Sequence, residues 1–167
     1  MDAPSPTDVA IFLLRHAHAG DPHKWTGEDA ARPLSQRGRD QARRLGRFLA
    51  ERALVFDTIV SSPKKRARQT AELFADAFGL GVAIDERLGG PLDLDLLSNV
   101  IESAGGTAVV LVGHDPDFSE LCRSLVGSGY LPLKKGAIAR IDAALPLQEG
   151  AGILRWLLPP DMVADRS

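Results

Sequence analysis

Three short stretches of this chain combine residue types suited to phosphorus chemistry. Leu14-Arg15-His16-Ala17 places an arginine and a histidine directly after an apolar run. A neutral imidazole is a competent nucleophile toward phosphorus, and a guanidinium is a planar fork that matches phosphate oxygens. Ser61-Ser62-Pro63-Lys64-Lys65-Arg66-Ala67-Arg68-Gln69-Thr70 brings four cations into five positions at the start of a helical pattern. The helix dipole disfavours cations at that end, and a bound anion reverses the preference. The inward periodicity that includes Ala67 and Ala71 puts Arg66 at the core-facing edge and leaves Lys64, Lys65 and Arg68 to solvent. Gly113-His114 ends a second apolar run, where glycine permits close backbone approach and a protonated His114 would donate to a phosphoryl oxygen. Each stretch alone is also compatible with a solvated strand end, an exposed basic turn or a structural histidine. Their shared position at strand mouths favours one anion site.

Two rival chemistries use the same residues. His16-Ala17-His18 projects two imidazoles from one face of a strand, as a metal pair would. Arg15 beside it would repel a cation, and no Asp/His set of suitable spacing accompanies it, so no metal is assigned. A cysteine phosphatase would need Cys-x5-Arg, but position 128, six after Cys122, is Ser. Cys122 shares a helical face with Phe118, Leu121 and Leu125 and is read as a buried core thiol. With one cysteine, no intrachain disulfide forms.

The elements that must carry these residues follow from pattern. Val9–Leu14 and Ala108–Val112 are continuous apolar runs, expected as strands covered on both faces. Asp57–Ser61 and Gly81–Ile84 are shorter strands, and Ala137–Ile141 and Ile153–Leu158 close the sheet. Ser35 caps a helix to about Arg52 with Ala42, Leu45, Phe48 and Leu49 inward. Ser62-Pro63 and Asp115-Pro116 are each expected as a cap followed by proline at the first helical position, opening helices to about Phe78 and Val126. Asp93–Ser103 supplies one more helix. Alternating strands and helices give an α/β fold, a three-layer αβα sandwich with a largely parallel central sheet. Ligands of such sheets bind beyond the carboxyl ends of the strands, where the three stretches converge.

Length and composition set outer bounds. The 167 residues fit one domain, with loose tails expected at 1–8 and 160–167. With 44% hydrophobic and 25% charged residues and a net charge of −2, no global field recruits nucleic acid or a membrane surface. No targeting or spanning segment is visible, so the expected location is cytoplasmic, with a monomer as default.

Taken together, Arg15, His16, Arg66 and His114 resemble the histidine phosphatase superfamily. The matching features are Arg15-His16-Ala17, the ten-residue string from Ser61 to Thr70, and Gly113-His114. Its small phosphohistidine phosphatase (SixA-like) branch is the nearer resemblance, through Arg32-Pro33-Leu34-Ser35-x-x-Gly38, Lys134-Lys135-Gly136-Ala137-Ile138-Ala139 and Trp156-Leu157-Leu158-Pro159. The resemblance implies His16 as phosphorylated nucleophile, with Arg15, Arg66 and His114 clamping the phosphoryl oxygens and Arg32 near the pocket. It implies no cofactor and no cap domain. Surrounding cations are expected to keep His16 neutral.

The chain departs from that pattern at one place. Ester-hydrolysing relatives carry a glutamate general acid in the segment aligned with Arg87-Leu88-Gly89-Gly90, where this chain has Gly-Gly. Asp29 is the first substitute, Glu86 the second. The expected activity is a metal-independent phosphatase acting on phosphohistidine of a partner protein. A nucleotide or other small phosphorylated metabolite is the alternative substrate, and a non-catalytic phosphate-binding module the alternative class.

Overall fold

A computed structural model describes residues 7–163. Six strands, β1 (Thr7–Arg15), β2 (Thr58–Ser61), β3 (Ala83–Ile84), β4 (Ala108–Gly113), β5 (Ile138–Leu145) and β6 (Ile153–Leu158), form one sheet in the order β3-β2-β4-β1-β5-β6. Four helices accompany them: α1 (Gln36–Ala50), α2 (Lys65–Asp76), α3 (Leu94–Ala104) and α4 (Asp117–Val126).

Alternation along β1 explains the three layers. Ile11 and Leu13 pack into a core with Leu97, Ile101, Phe118 and Leu121 from α3 and α4. Phe12 and Leu14 point the other way, toward Leu45, Leu49, Ala71 and Phe74 from α1 and α2. A strand buried on both faces cannot alternate polar and apolar residues, hence the continuous run. The expected αβα sandwich is present, with no cap domain evident. Its first four strands are parallel, whereas β5 pairs antiparallel with β1 and with β6. The β5–β6 pair is antiparallel because a short connection joins the two strands and has no room for a crossover.

The helix starts differ from expectation in a way that matters for chemistry. Ser35 caps α1 as expected, its Oγ accepting from Gly38 N. Ser62 does not cap α2; Lys64 occupies that position without a side-chain cap bond, and Pro63 precedes it. Likewise Pro116 is itself the cap residue of α4. Ser62 is thereby released for the site, whereas Asp115 still accepts from Ser119 N in the first turn of α4 through Oδ1 and offers Oδ2 to the site. The tail boundaries also move. β1 begins at Thr7, Pro160–Met162 forms a short 3-10 turn, and Val163 is buried in the core beside Phe12. The rest of both expected tails lies outside the described residues. Among the described residues no helix is long and apolar enough to cross a membrane.

Candidate active site

β1, β2 and β4 are adjacent and parallel, so Arg15, Ser61 and Gly113 end at one sheet edge. His16 continues from Arg15 and bonds through its backbone N to Gly113 O at 2.9 Å. His114 follows on the neighbouring strand, and the two imidazole rings lie 5.3 Å apart, tilted by 51°. Gly113 is required here: a Cβ would stand 2.6 Å from the Phe118 ring. Any side chain would displace the buried Phe118 ring of α4 from the strand end.

His16 is buried, 5% exposed. Its Nδ1 lies 2.8 Å from Ala17 O. A carbonyl oxygen only accepts, so Nδ1 carries the proton and the neutral ring keeps its lone pair on Nε2. Burial, more than the cations, holds the ring neutral. Desolvation lowers its pKa to about 3, the Ala17 hydrogen bond opposes this, and His114, Arg66 and Arg15 add to the lowering. The expected contribution of the surrounding cations is present, but it comes after that of burial.

His114 also differs from expectation. Burial, with Arg66 and Lys64 charge, lowers its pKa to about 3, opposed in part by Asp29. It is therefore neutral in the ligand-free site, not protonated. Its Nε2 lies 2.7 Å from Ser62 Oγ, and that oxygen also accepts from Lys64 N. When the Ser62 hydroxyl donates to Nε2, the ring proton sits on Nδ1.

Arg66 is buried, 6% exposed, as the helix periodicity required. Its Nη1 donates to Asp29 O at 2.8 Å and its Nη2 to Asp29 Oδ2 at 2.9 Å. Lys65 and Arg68 are exposed, but Lys64 is half-buried and its charge reaches His114, against the expectation of full solvation. Arg15 Nη1 donates to Leu133 O at 2.8 Å and lies 3.4 Å from Asp115 Oδ2. Asp115 in turn accepts from Ser119 Oγ, to which Leu133 N donates, closing a ring of contacts that orients the guanidinium.

Buried polar atoms in folded proteins are almost always paired. Among the described residues, the buried side-chain nitrogens without a partner are Arg15 Nε, Arg66 Nε and His114 Nδ1. All three belong to the residues expected to grip one anion. Such orphans are costly unless a ligand meets them.

Arg32 and Asp29 stand beside this cluster. Arg32 is buried, its Nη1 donating to Ala19 O at 2.8 Å and its Nε to Asp29 Oδ1 at 3.3 Å. These bonds run to the loop and to Asp29. Burial pushes the Asp29 carboxyl up, but Arg66 and Arg32 outweigh this and hold it below its usual range. Glu86 is exposed. Gly89 lies against the site: a Cβ there would be 3.1 Å from Pro63 Cδ and 3.6 Å from Ser62 Oγ. The Gly-Gly departure therefore falls next to the residue that contacts His114.

Several supporting residues escaped the sequence reading. Thr70 Oγ1 donates to Arg66 O and accepts from Ala17 N, while Gln69 Oε1 accepts from Leu34 N. These explain why the string from Ser61 extends to Thr70: its end ties α2 to the loop after His16. His18 points elsewhere, with Nδ1 2.6 Å from Ser35 Oγ. Among the described residues no group of three or more His, Cys, Asp or Glu could hold a metal ion. Cys122 is fully buried, and burial with the Asp115 charge raises its pKa to about 12, so it is no nucleophile.

Comparison with known proteins converges on one family. An uncharacterized protein of Picosynechococcus sp. is 32% identical over 169 residues, covering 90% of this chain and 100% of its own. A probable phosphoglycerate mutase GpmB of Salmonella paratyphi A is 27% identical, covering 86% of this chain and 66% of its own length. The protein histidine phosphatase SixA complexed with tungstate superposes with a TM-score of 0.79 at 24% identity, over 93% of this chain and all of that one. A putative phosphohistidine phosphatase SixA from Agrobacterium tumefaciens gives 0.71 at 23% identity, over 91% and 98%. Residues 11–89 match the family model for the histidine phosphatase superfamily (branch 1), a span that holds Arg15, His16 and Arg66 but ends before His114. With that match, the relative that aligns end to end, and a site assembled on the same fold, the chain belongs to the histidine phosphatase superfamily.

Proposed function

We propose that this phosphatase removes the phosphoryl group from phosphohistidine on a partner protein, through a phosphorylated His16. The observation that carries the reading is the set of unpartnered buried nitrogens on Arg15, Arg66 and His114 around a neutral His16. Phosphoryl transfer needs positioning and positive charge more than covalent machinery. In the first step His16 Nε2 attacks phosphorus while the substrate P–N bond breaks, and its electron pair leaves with the substrate imidazole. In the second, water attacks the phosphoryl group, the His16–P bond breaks, and phosphate departs with the water oxygen.

Leaving-group chemistry supports phosphohistidine over alkyl esters. An alkyl ester expels an alkoxide, and a positioned general acid is typically worth ~10²–10⁴-fold there. An imidazole already protonated on its free nitrogen leaves as a neutral ring, and histidine's reference pKa of about 6.5 puts that form within reach. The Gly89-Gly90 pair beside Ser62 supplies no acid, and Asp29 is held ionised.

The test is phosphate release from phosphohistidine proteins, aryl phosphates, nucleotides and sugar phosphates, with quench trapping of the enzyme. The expected result is turnover of phosphohistidine and aryl phosphate, with alkyl monoesters far behind, and a base-stable, acid-labile phosphoenzyme absent from His16→Ala. Activity should survive chelation. Efficient sugar-phosphate hydrolysis would transfer the assignment to a small metabolite, and binding without release would leave a reader module.

A further inference from the structure

A groove of about 500 Å³ opens beside the phosphoryl clamp and shares Arg15 with it. Its other lining cations are Arg37, Arg44, Lys134 and Lys135, and Asp161 is the acidic residue among those lining it. In a chain of net charge −2, this is a marked local concentration of one sign. Clefts lined by one sign of charge focus the field and concentrate the opposite charge. None of these four cations belongs to the clamp.

The groove is built from two rigid parts. On α1, Arg37, Gln41 and Arg44 stand at i, i+4 and i+7, a single stripe about 10 Å long at 1.5 Å per residue. Gly38 lets that helix approach the site: a Cβ there would lie within 3.0 Å of the His18 backbone. Gln41 Oε1 also accepts from His18 N, pinning the stripe to the loop after His16. The opposite wall is the Lys134-Lys135 turn, closed by Ala137 N to Lys134 O and fastened to the end of β1 by Gly136 N, which donates to Arg15 O at 3.2 Å and to His16 O at 3.0 Å. Lys135 is close enough to the clamp for Arg15, Arg32 and Arg66, after burial, to lower its pKa. Across the mouth, Lys134 Nζ and Asp161 Oδ2 are 4.0 Å apart, and both are exposed.

We propose that this groove is a docking surface for acidic side chains of the partner protein that flank the phosphorylated residue. The proposal rests on the phosphatase reading above and specifies which protein surfaces it accepts. A stripe this long exceeds what one compact anion engages and suits carboxylates spaced along a helix or strand. Asp161 faces the same cations and competes with an incoming carboxylate.

The experiment uses the full chain and two peptides around one histidine, flanked by glutamates or by glutamines. Binding of the unphosphorylated peptides is read by fluorescence anisotropy, and turnover of the phosphohistidine forms by phosphate release. At low salt the glutamate peptide should bind about tenfold more tightly, the sum of several weak exposed ion pairs. That preference should shrink with salt as the Debye length falls from about 10 Å at 0.1 M to about 3 Å at 1 M. The double variant R37Q/K134Q should abolish the preference through KM while aryl phosphate turnover stays unchanged, and Asp161→Asn should enlarge it. Equal binding of the two peptides, or a preference intact in R37Q/K134Q, would overturn the docking surface. So would a stronger R37Q/K134Q defect toward a nucleoside diphosphate than toward the glutamate peptide, which would make the groove a subsite for a small bis-anion. The anisotropy reads docking even without turnover, so loss of phosphate release from every substrate would count against the phosphatase reading alone.

Discussion

Asp29 Oδ2 lies 2.9 Å from Arg66 Nη2, so a carboxylate occupies part of the guanidinium fork that the phosphoryl group would need. Asp29 is exposed, whereas Arg66 is buried. Its backbone carbonyl holds the other Arg66 terminal nitrogen. The pair orients Arg66 and at the same time competes with substrate.

Asp29→Asn separates those roles. The amide oxygen can still accept from Arg66, but the negative charge is gone. Inorganic phosphate and vanadate should inhibit the variant more strongly, by about three- to tenfold, the scale of one partly exposed ion pair. Inhibition constants check this. A selective loss of alkyl-ester turnover would instead make Asp29 the proton donor.

The clamp should respond steeply to truncation. Arg15→Ala or Arg66→Ala should each cost about 2–4 kcal/mol of transition-state stabilisation, the cost of one preorganised donor. Lysine at either position should rescue only partly, because a point charge cannot form the forked contact. Lys65→Ala should be silent, and Lys64→Ala should have a small effect because its charge reaches His114. The ratio of kcat/KM values for an aryl phosphate measures each.

Ser62 is expected to act through His114. Ser62→Ala removes the hydrogen bond at Nε2 and with it the preference for a proton on Nδ1. kcat should fall about tenfold, the worth of a hydrogen bond near 1.4 kcal/mol. The His114 ring nitrogens, followed by NMR, should show a mixture of tautomers in the variant. An unchanged tautomer with unchanged kcat would reduce Ser62 to a packing residue.

Acid should weaken the fold through the two imidazoles. Both His16 and His114 have pKa values lowered from 6.5 to about 3. Between those limits the unfolded chain binds protons that the native site excludes, so stability rises with pH and is fully present above 6.5. It is lost as pH falls through that window. Each histidine contributes a slope approaching about 1.4 kcal/mol per pH unit. Urea unfolding from pH 6.5 to 5.5, above the reference carboxylate values of about 4, should show a shallower slope in His114→Asn than in the parent.

Much of this site was legible in the chain itself. Runs such as Val9–Leu14 are apolar because both faces of their strands are covered, and that same fact places Arg15-His16 and Gly113-His114 at one sheet edge. Helical periodicity was enough to select Arg66 from its basic neighbours, since only one of four cations lies on the buried arc. What remained undecided depended on contacts between distant residues. Ser62 and Asp115 carry the local signature of helix caps, and spacing alone cannot reveal that Ser62 pairs with His114 instead, or that Asp115 meets Arg15 while it holds the start of α4. The neutrality of His16 comes first from desolvation, a property of the folded environment and not of nearby charge in the sequence. The partner of Asp29 is 37 residues away, so its ionised state and its hold on Arg66 exist only once the loop folds over α2. Short-range pattern determines which face a residue occupies. Tertiary packing decides what it meets there, and therefore its charge and its role.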